Sequence, residues 1–276
     1  MEPDELSDDL WEMLSTKTSN WVPRIPYVHG LLAKWKLGPF FTEKVREYVD
    51  QDGTYVSEAC AVCVAIQVSG PNSGLQAIAK VRMQIPNPEG ERTIPRPNGL
   101  LHEREIQALT GLSQRGCTCI PKLLDQRELL QDSTDHVAGG FCVALFMEKV
   151  PGKTLENFPE LPISERNKVR LAFSKSLRQF YSAGYRHGDE ACRNLIWDRE
   201  REKCYIIDFE EVHKCGYTRD FIPEIEWPLW GIEGPGLKNG AASMDPMVPT
   251  NRAFVRNPDD ETLESWAAES IEKKPK

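Results

Sequence analysis

The chain has 276 residues, of which 40% are hydrophobic and 28% charged, and its formal net charge is −8 at pH 7. This composition is typical of a globular protein with one or two cored domains, and the acidic balance argues against a nucleic-acid partner. The sequence has neither an apolar run of about 18 residues nor the basic and apolar start of a secretory signal. We therefore expect no membrane partner and a cytoplasmic location, with the nucleus as the alternative.

Residues 1–53 are predicted to form an N-terminal helical extension. Residues 5–16 are typical of a short acidic helix. Residues 39–53 carry apolar side chains at helical spacing up to Asp52 and Gly53, a pair that commonly ends a helix.

A β-hairpin and one helix are predicted over the next part of the chain. Residues 54–70 are rich in β-branched and small apolar side chains and lead into a turn with Gly, Pro and Asn. Residues 75–85 are predicted as the second strand, and the Pro- and Gly-rich residues 86–99 as a loop. Helical spacing resumes over residues 100–112, and residues 139–150 are strongly strand-like.

Beyond that strand the sequence predicts helices rather than further sheet. A long helix is expected over residues 163–184 and an amphipathic one over residues 257–274, with a Gly- and Pro-rich loop at 233–251. The chain is therefore assigned to the α+β class, with two lobes joined by a short linker. The expected lobes are residues 54–150 and 151–276.

The eight cysteines divide into close pairs and single residues. Cys60 and Cys63 have the spacing of half a zinc site, and Cys117 and Cys119 are also close. A zinc site requires two such pairs on loops, whereas Cys60 and Cys63 fall in a predicted buried strand. This placement favours structural cysteines over a metal site, and the absence of a signal peptide favours reduced thiols.

The segment "YRHGDEACRNLIWD" at residues 185–198 concentrates polar side chains. It contains His187, Asp189 and Asn194, and a second apolar strand further along ends in Asp208. A hairpin formed by "LIWD" and "CYIID" places these groups at one end of two paired strands. Oxygen ligands of this kind suit Mg²⁺, which takes one or two carboxylates from a protein and completes its shell with phosphate and water.

This pattern, H-x-D-x4-N followed by an apolar strand and D-F, resembles the catalytic core of the protein-kinase-like superfamily. Gly188 stands where protein kinases usually carry Arg, and in this respect the chain looks like the aminoglycoside/choline phosphotransferase branch and its fungal kinase-like relatives. The resemblance implies a bilobal fold with a small antiparallel-sheet N-lobe containing one helix, and a short, mainly helical C-lobe. It implies that Asp189 orients or deprotonates the acceptor hydroxyl, and that Asn194 and Asp208 hold Mg²⁺.

The family also needs parts upstream of this segment. The resemblance implies that Lys80, in "AIAKVRMQ", contacts the α- and β-phosphates of ATP and that Glu105, on the following helix, orients it. In "FMEKVPG" it identifies Met147 as the gatekeeper, and Glu148 and Val150 as residues whose backbone groups bind adenine. His187 is expected to keep a structural role by bonding a backbone carbonyl.

Several features depart from an ordinary protein kinase. The sequence has no G-x-G-x-x-G between residues 54 and 80, where Gly70 and Gly74 are the nearest glycines. Glu210 follows Asp208-Phe209 in place of glycine, and an A-P-E motif is missing. We expect an ATP- and Mg²⁺-dependent phosphotransferase acting on a hydroxyl of a small molecule. The alternatives are an inactive kinase-like module that binds nucleotide or serves as a scaffold and, ranked lower, a Ser/Thr protein kinase.

Overall fold

The computed structural model of the protein describes residues 21–22, 26–217, 219–233 and 255–272. The predicted helix over residues 5–16 and nearly all of the predicted loop over residues 233–251 lie outside these ranges. In the described ranges, no helix has the length and apolar character needed to cross a membrane.

The chain folds into two compact units. The first comprises the residues up to Ile106 together with Lys122–Lys149, and the second comprises Gln107–Pro121 and the residues from Val150 onward. The boundary therefore falls inside a helix and just after the last strand of the first unit.

The first unit contains a six-stranded antiparallel sheet with strand order β1-β2-β3-β4-β6-β5. The helix α1 follows β4 in sequence and matches the helix predicted from the spacing of its apolar residues. The bounds are β1 Tyr27–His29, β2 Lys34–Val49, β3 Tyr55–Ser69, β4 Gln76–Ile85, α1 Leu100–Gln114, β5 Leu123–Leu130 and β6 Phe141–Glu148.

The helix predicted over residues 39–53 is wrong, because most of this segment lies in the long strand β2. Its backbone pairs antiparallel with β3. The turn between the two strands is closed by hydrogen bonds from the Asp50 N–H to the Thr54 carbonyl and from the Gly53 N–H to the Asp50 carbonyl. Gly53 has a φ of +83°, so the dipeptide interpreted as a helix end is part of a hairpin turn. Most of the described part of residues 1–53 therefore belongs to the sheet, as β1 and β2, and does not form a helical extension.

The predicted hairpin over residues 54–85 is present as β3 and β4, and both of its faces are buried. One face carries small apolar residues such as Ala59, Ala61 and Ala79, which join the core that contains Trp35 and Phe146. The rings of Trp35 and Phe146 stack with centroids 4.7 Å apart. The opposite face carries Glu58 of β3 and Lys80, Arg82 and Gln84 of β4, which are buried as well.

The second unit is mainly helical in its described part. Two small sheets accompany the helices, one of order β10-β9-β7 and one pairing β11 with β8. Its largest fully buried side chains include Phe173, Phe180, Trp227 and Trp230. The elements are β7 Lys153–Thr154, α2 Ile163–Ser182, β8 Tyr185–Arg186, β9 Leu195–Asp198, β10 Lys203–Ile206, β11 His213–Lys214, α3 Pro223–Leu229 and α4 Asp260–Glu272.

The α+β assignment is therefore confirmed, with a sheet-rich antiparallel first part and helices that dominate later. Segregation of strands and helices along the chain was visible in the change of side-chain periodicity near residue 150.

Candidate functional site

Lys80 and Glu105 form a buried ion pair in the first unit. Lys80 lies in the middle of β4, opposite Val62 of β3 and Leu145 of β6, and α1 supplies Glu105. The ammonium nitrogen lies 2.7 Å from Oε1 of the carboxylate, and the residues are 8% and 0% exposed. The two residues paired by sequence reasoning are thus in direct contact.

Arg82 extends this pair into a larger buried network that sequence reasoning missed. One guanidinium nitrogen lies 2.6 Å from Oε1 of Glu58, and another lies 3.5 Å from Oε2 of Glu105. Tyr48 donates a hydrogen bond of 3.2 Å to the other oxygen of Glu58. Burial, followed by the charge of Glu58, raises the pKa of the Tyr48 hydroxyl, which therefore remains a donor.

The sequence carried a signal for these residues, but an ambiguous one. Lys80, Arg82 and Gln84 occupy alternate positions of β4, and Glu58 pairs directly with Gln84 across the hairpin. Alternating polar residues in a strand ordinarily indicate a solvent-exposed face. Here all four are less than 9% exposed, and together with the buried Glu105 they make a set of two cations, two anions and one neutral amide.

The predicted adenine-binding segment ends β6. Met147 is 3% exposed, opposite Ile78 of β4. The backbone N–H of Glu148 donates a 2.8 Å hydrogen bond to the carbonyl of Lys122, whose own N–H donates to the Glu148 carboxylate at 3.2 Å. Glu148 therefore has its carbonyl, rather than its N–H, to offer a base. Val150 is buried in the second unit.

His187 fixes the start of the polar loop in the second unit. Its Nδ1 accepts a hydrogen bond of 3.1 Å from the N–H of Asp189, and its Nε2 lies 3.0 Å from the carbonyl oxygen of Ile207. Since Nδ1 is the acceptor, Nε2 carries the proton and donates. The ring is 1% exposed and packs near Phe209 and Trp230, which is the structural role that we predicted.

Asp189 and Asn194 are in direct contact. The side-chain amide nitrogen of Asn194 donates to the carbonyl of Asp189 at 2.8 Å and to its Oδ2 at 3.0 Å. Arg193 lies 2.5 Å from Oδ1. Partial burial raises the pKa of Asp189, but the bonds from Asn194 and Arg193 outweigh it, so the net pKa lies below the ordinary value and the group is ionised at neutral pH.

The strands β9 and β10 bring Asp208 towards the same loop. Leu195 pairs with Ile206, and the N–H of Ile207 donates a 2.9 Å hydrogen bond to the carbonyl of Asn194 at the open end of the hairpin. The charge of Asp208 also acts on Asp189, where it opposes the lowering of the pKa. The hairpin expected from the sequence therefore places Asp189, Asn194 and Asp208 at one end.

Asp208 has a backbone conformation that is unusual for its residue type. Its φ of +68° lies in the left-handed region, which non-glycine residues seldom adopt. Such conformations cost free energy and cluster at functional sites. The flanking bonds of Ile207, one to Asn194 and one to His187, hold the chain just before this residue.

Asn194 and Asp208, at this end of the hairpin, offer side-chain oxygen atoms of the kind that Mg²⁺ binds. Both hydrogen bonds of the Asn194 side chain use its nitrogen, so its amide oxygen is the atom suited to a metal, and Asp208 supplies a carboxylate. Among the described residues no cluster of three or more His, Cys, Asp or Glu is arranged to hold a metal by itself. Mg²⁺ typically takes few protein ligands when it also binds phosphate oxygens.

No model of a known protein family and no curated protein matches the sequence. Among solved structures, the chain is similar to the kinase PK-1 of Cydia pomonella Granulovirus, with 14% sequence identity and a TM-score of 0.37. The match covers 63% of this chain and 53% of the viral kinase, so the chain spans about half the length of that protein.

Proposed function

We propose that this chain is a kinase-like phosphotransferase of the aminoglycoside/choline phosphotransferase type. It binds ATP and Mg²⁺ and transfers the γ-phosphate to a hydroxyl of a small molecule. The observation that carries the proposal is the buried pair of Lys80 and Glu105. A strand lysine 8% exposed and held at 2.7 Å by a helix carboxylate is an oriented cation of the kind that phosphates require.

The proposed roles follow the chemistry of each group. Lys80 neutralises charge on the nucleotide phosphates, and Glu105 positions it. Asn194 and Asp208 hold Mg²⁺, which supplies further charge neutralisation on the phosphates when bound. Asp189, ionised at neutral pH, orients the acceptor hydroxyl and accepts its proton. His187 positions Asp189 through the backbone.

Adenine is assigned to the end of β6. Met147 lines the base, and backbone groups of Glu148 and Val150 bond its edge. The bond from the Glu148 N–H to Lys122 restricts this residue to its carbonyl, an acceptor for the exocyclic amine of adenine. The activity is proposed for the cytoplasm, with the nucleus as the alternative.

Nucleotide binding is the test on which the proposal depends. ATP with Mg²⁺ at about 100 times its Kd is expected to stabilise the folded chain by about 2.7 kcal/mol, measured as a rise in melting temperature. Asp208→Asn is expected to abolish the Mg²⁺-dependent part of this rise. Glu89→Gln, which removes the same charge from an exposed loop position, should leave it intact. Absence of any shift with millimolar ATP and Mg²⁺ would overturn the proposal.

A nucleotide-binding module without catalytic activity is the second candidate. It is favoured by the engagement of both carboxylate oxygens of Asp189, one by Arg193 and one by Asn194, because a catalytic base must accept a proton from substrate. Single-turnover hydrolysis of labelled ATP separates the two. The phosphotransferase is expected to hydrolyse ATP slowly and to lose this in Asp189→Ala with nucleotide binding retained. Equal rates in both proteins would favour the module.

A further inference from the structure

Cys117 and Cys119 form a thiol pair in the second unit that the proposed function does not use. They lie on the short connection between α1 and β5, and their sulfur atoms are 3.2 Å apart. Cys117 is 8% exposed and Cys119 is 1% exposed. Both are free thiols.

We propose that Cys117 and Cys119 are a modification site at which hydrogen peroxide closes a reversible intramolecular disulfide. The site does not depend on the phosphotransferase activity, since it requires neither nucleotide nor any residue assigned to that function.

The surroundings make Cys117 the nucleophile. The contact between the two sulfurs lowers the pKa of Cys117, and the backbone of Cys119 and the charge of Lys203 act in the same direction, whereas burial opposes them. The same contact and burial raise the pKa of Cys119 well above its usual value. Cys117 therefore has the lower pKa of the two thiols and is also the more exposed residue.

The chemistry balances with hydrogen peroxide as oxidant. The Cys117 thiolate attacks one peroxide oxygen, which breaks the O–O bond, forms a sulfenic acid and releases hydroxide that takes up a proton as water. The Cys119 sulfur then attacks the Cys117 sulfur, the S–S bond forms, and the hydroxyl leaves as a second water with the proton of Cys119. Two thiols have lost two electrons, which reduce one peroxide to two waters.

The chain geometry permits this closure. Residues two apart are separated by at most about 7 Å between Cα atoms, near the upper end of the range seen in disulfides. The segment is held at both ends, since the Cys117 N–H donates to the Leu112 carbonyl at 3.1 Å and the Cys119 carbonyl accepts from Ile206 at 2.8 Å. The Cys119 sulfur has a second acceptor 3.3 Å away, the carbonyl of Ser176.

Burial also determines which thiol can form a disulfide with Cys117. Cys204 acts electrostatically on Cys119, but it is itself fully buried, and burial raises its pKa, so it stays a thiol. Cys192 and Cys215, which are more exposed, are single thiols. A sulfenic acid at Cys117 therefore meets the Cys119 sulfur before any other thiol reaches it.

The test uses the full chain, which is digested with trypsin so that the peptide containing both cysteines can be identified. Both cysteines fall on one peptide, residues 116–122, "GCTCIPK", bounded by Arg115 and Lys122. The native protein is treated with hydrogen peroxide, alkylated, denatured and digested. Most copies of this peptide are expected to lack two hydrogen atoms and to carry no alkyl group. Treatment with a reductant before alkylation should restore the doubly alkylated form.

Two cysteine variants test the assignment of Cys117 and Cys119 directly. In Cys119→Ser the sulfenic acid at Cys117 has no resolving thiol and is expected to be captured by a dimedone-type reagent. Cys192→Ser is the matched control, in which disulfide formation in the peptide should match the unmodified chain. If the peptide stays a dithiol while Cys192 and Cys215 oxidise, or if Cys117 is found joined to Cys204, the proposal is overturned.

Discussion

Lys80 and Arg82, two residues apart on β4, share the carboxylate of Glu105: Nζ of Lys80 lies 2.7 Å from one oxygen, and Arg82 lies 3.5 Å from the other. Arg82 is also bonded to Glu58 at 2.6 Å, so it is the cation that links both buried carboxylates. Removal of Arg82 therefore takes a cation from both carboxylates, whereas removal of Lys80 leaves Arg82 beside Glu105.

We expect Arg82→Met to destabilise the fold far more than Lys80→Met. Loss of one partner of a buried ion pair typically costs about 3–5 kcal/mol, because the remaining charge is desolvated without compensation. Lys80→Met leaves Arg82 beside Glu105, so we expect a cost of about 1–2 kcal/mol. Urea unfolding followed by tryptophan fluorescence measures both. A larger loss in Lys80→Met would contradict the role assigned to Arg82.

His102 on α1 is expected to make stability depend on pH. It is 1% exposed, and neither ring nitrogen has a hydrogen-bond partner in the described part of the chain. The nearest carboxylate oxygen, from Glu128, is 4.0 Å from Nε2. Burial, followed by the charge of Arg82, lowers the pKa of His102 from 6.5 to about 4.

The direction of this pH dependence follows from proton binding to His102. Between about pH 4 and 6.5 the unfolded chain protonates this histidine and the folded chain does not, so the free energy of unfolding falls as pH falls through this window. The full loss is about 3 kcal/mol, and no further loss from this group is expected below pH 4. In His102→Leu the stability curve should be flatter by this amount, whereas the exposed His29→Gln should follow the unmodified chain. Parallel curves for His102→Leu and the unmodified chain would refute the assignment.

Arg193 is expected to lower the pKa of Asp189 rather than to stabilise the fold. Its side chain is 50% exposed, so Arg193→Ala should cost no more than about 1 kcal/mol of stability. The variant should raise the pKa of Asp189, because it removes one of the two bonds that hold the carboxylate ionised. Ionised Asp189 stabilises the fold at pH values above its ordinary pKa, and this contribution is lost as pH falls through its pKa in the folded chain. In Arg193→Ala the contribution is smaller. Carboxyl carbon NMR titration measures this, with the exposed Lys153→Ala as the control; an unchanged pKa would argue against the contact.

Gly152, just after the first unit ends, is expected to tolerate no side chain. Its φ is +116°, and an added Cβ would overlap the carbonyl of Trp197 and the N–H of Asp198. Gly74 also has a positive φ, +90°, but an added Cβ there meets open space. Gly152→Ala should therefore cost clearly more than the roughly 1–2 kcal/mol expected for Gly74→Ala from backbone strain alone. Equal urea midpoints for the two variants would show that the overlap relaxes freely.

The sequence correctly predicted those strands and helices in which the spacing of apolar residues matches the structure that they adopt. The strands β3, β4 and β6 are rich in small and β-branched residues, and α1 and α2 carry apolar residues at helical spacing, so pattern and structure coincide. The strand β2 was mistaken for a helix because Val45, Tyr48 and Val49 are only half-buried or exposed and its charged residues blur the alternation. Pairing with β3, rather than its own pattern, makes this segment a strand.

By itself the sequence determined the loop that holds Asp189 and Asn194, together with the hairpin that returns the chain to Asp208, because these contacts join residues close in the chain. Only the tertiary structure decided that Glu58, Arg82 and Glu105, from three separate elements, form one buried network. Alternation along β4 shows which side chains share a face, but not what covers that face. Packing of distant segments determines whether such a polar row is hydrated or buried, and burial turns it from a solvated surface into paired charges.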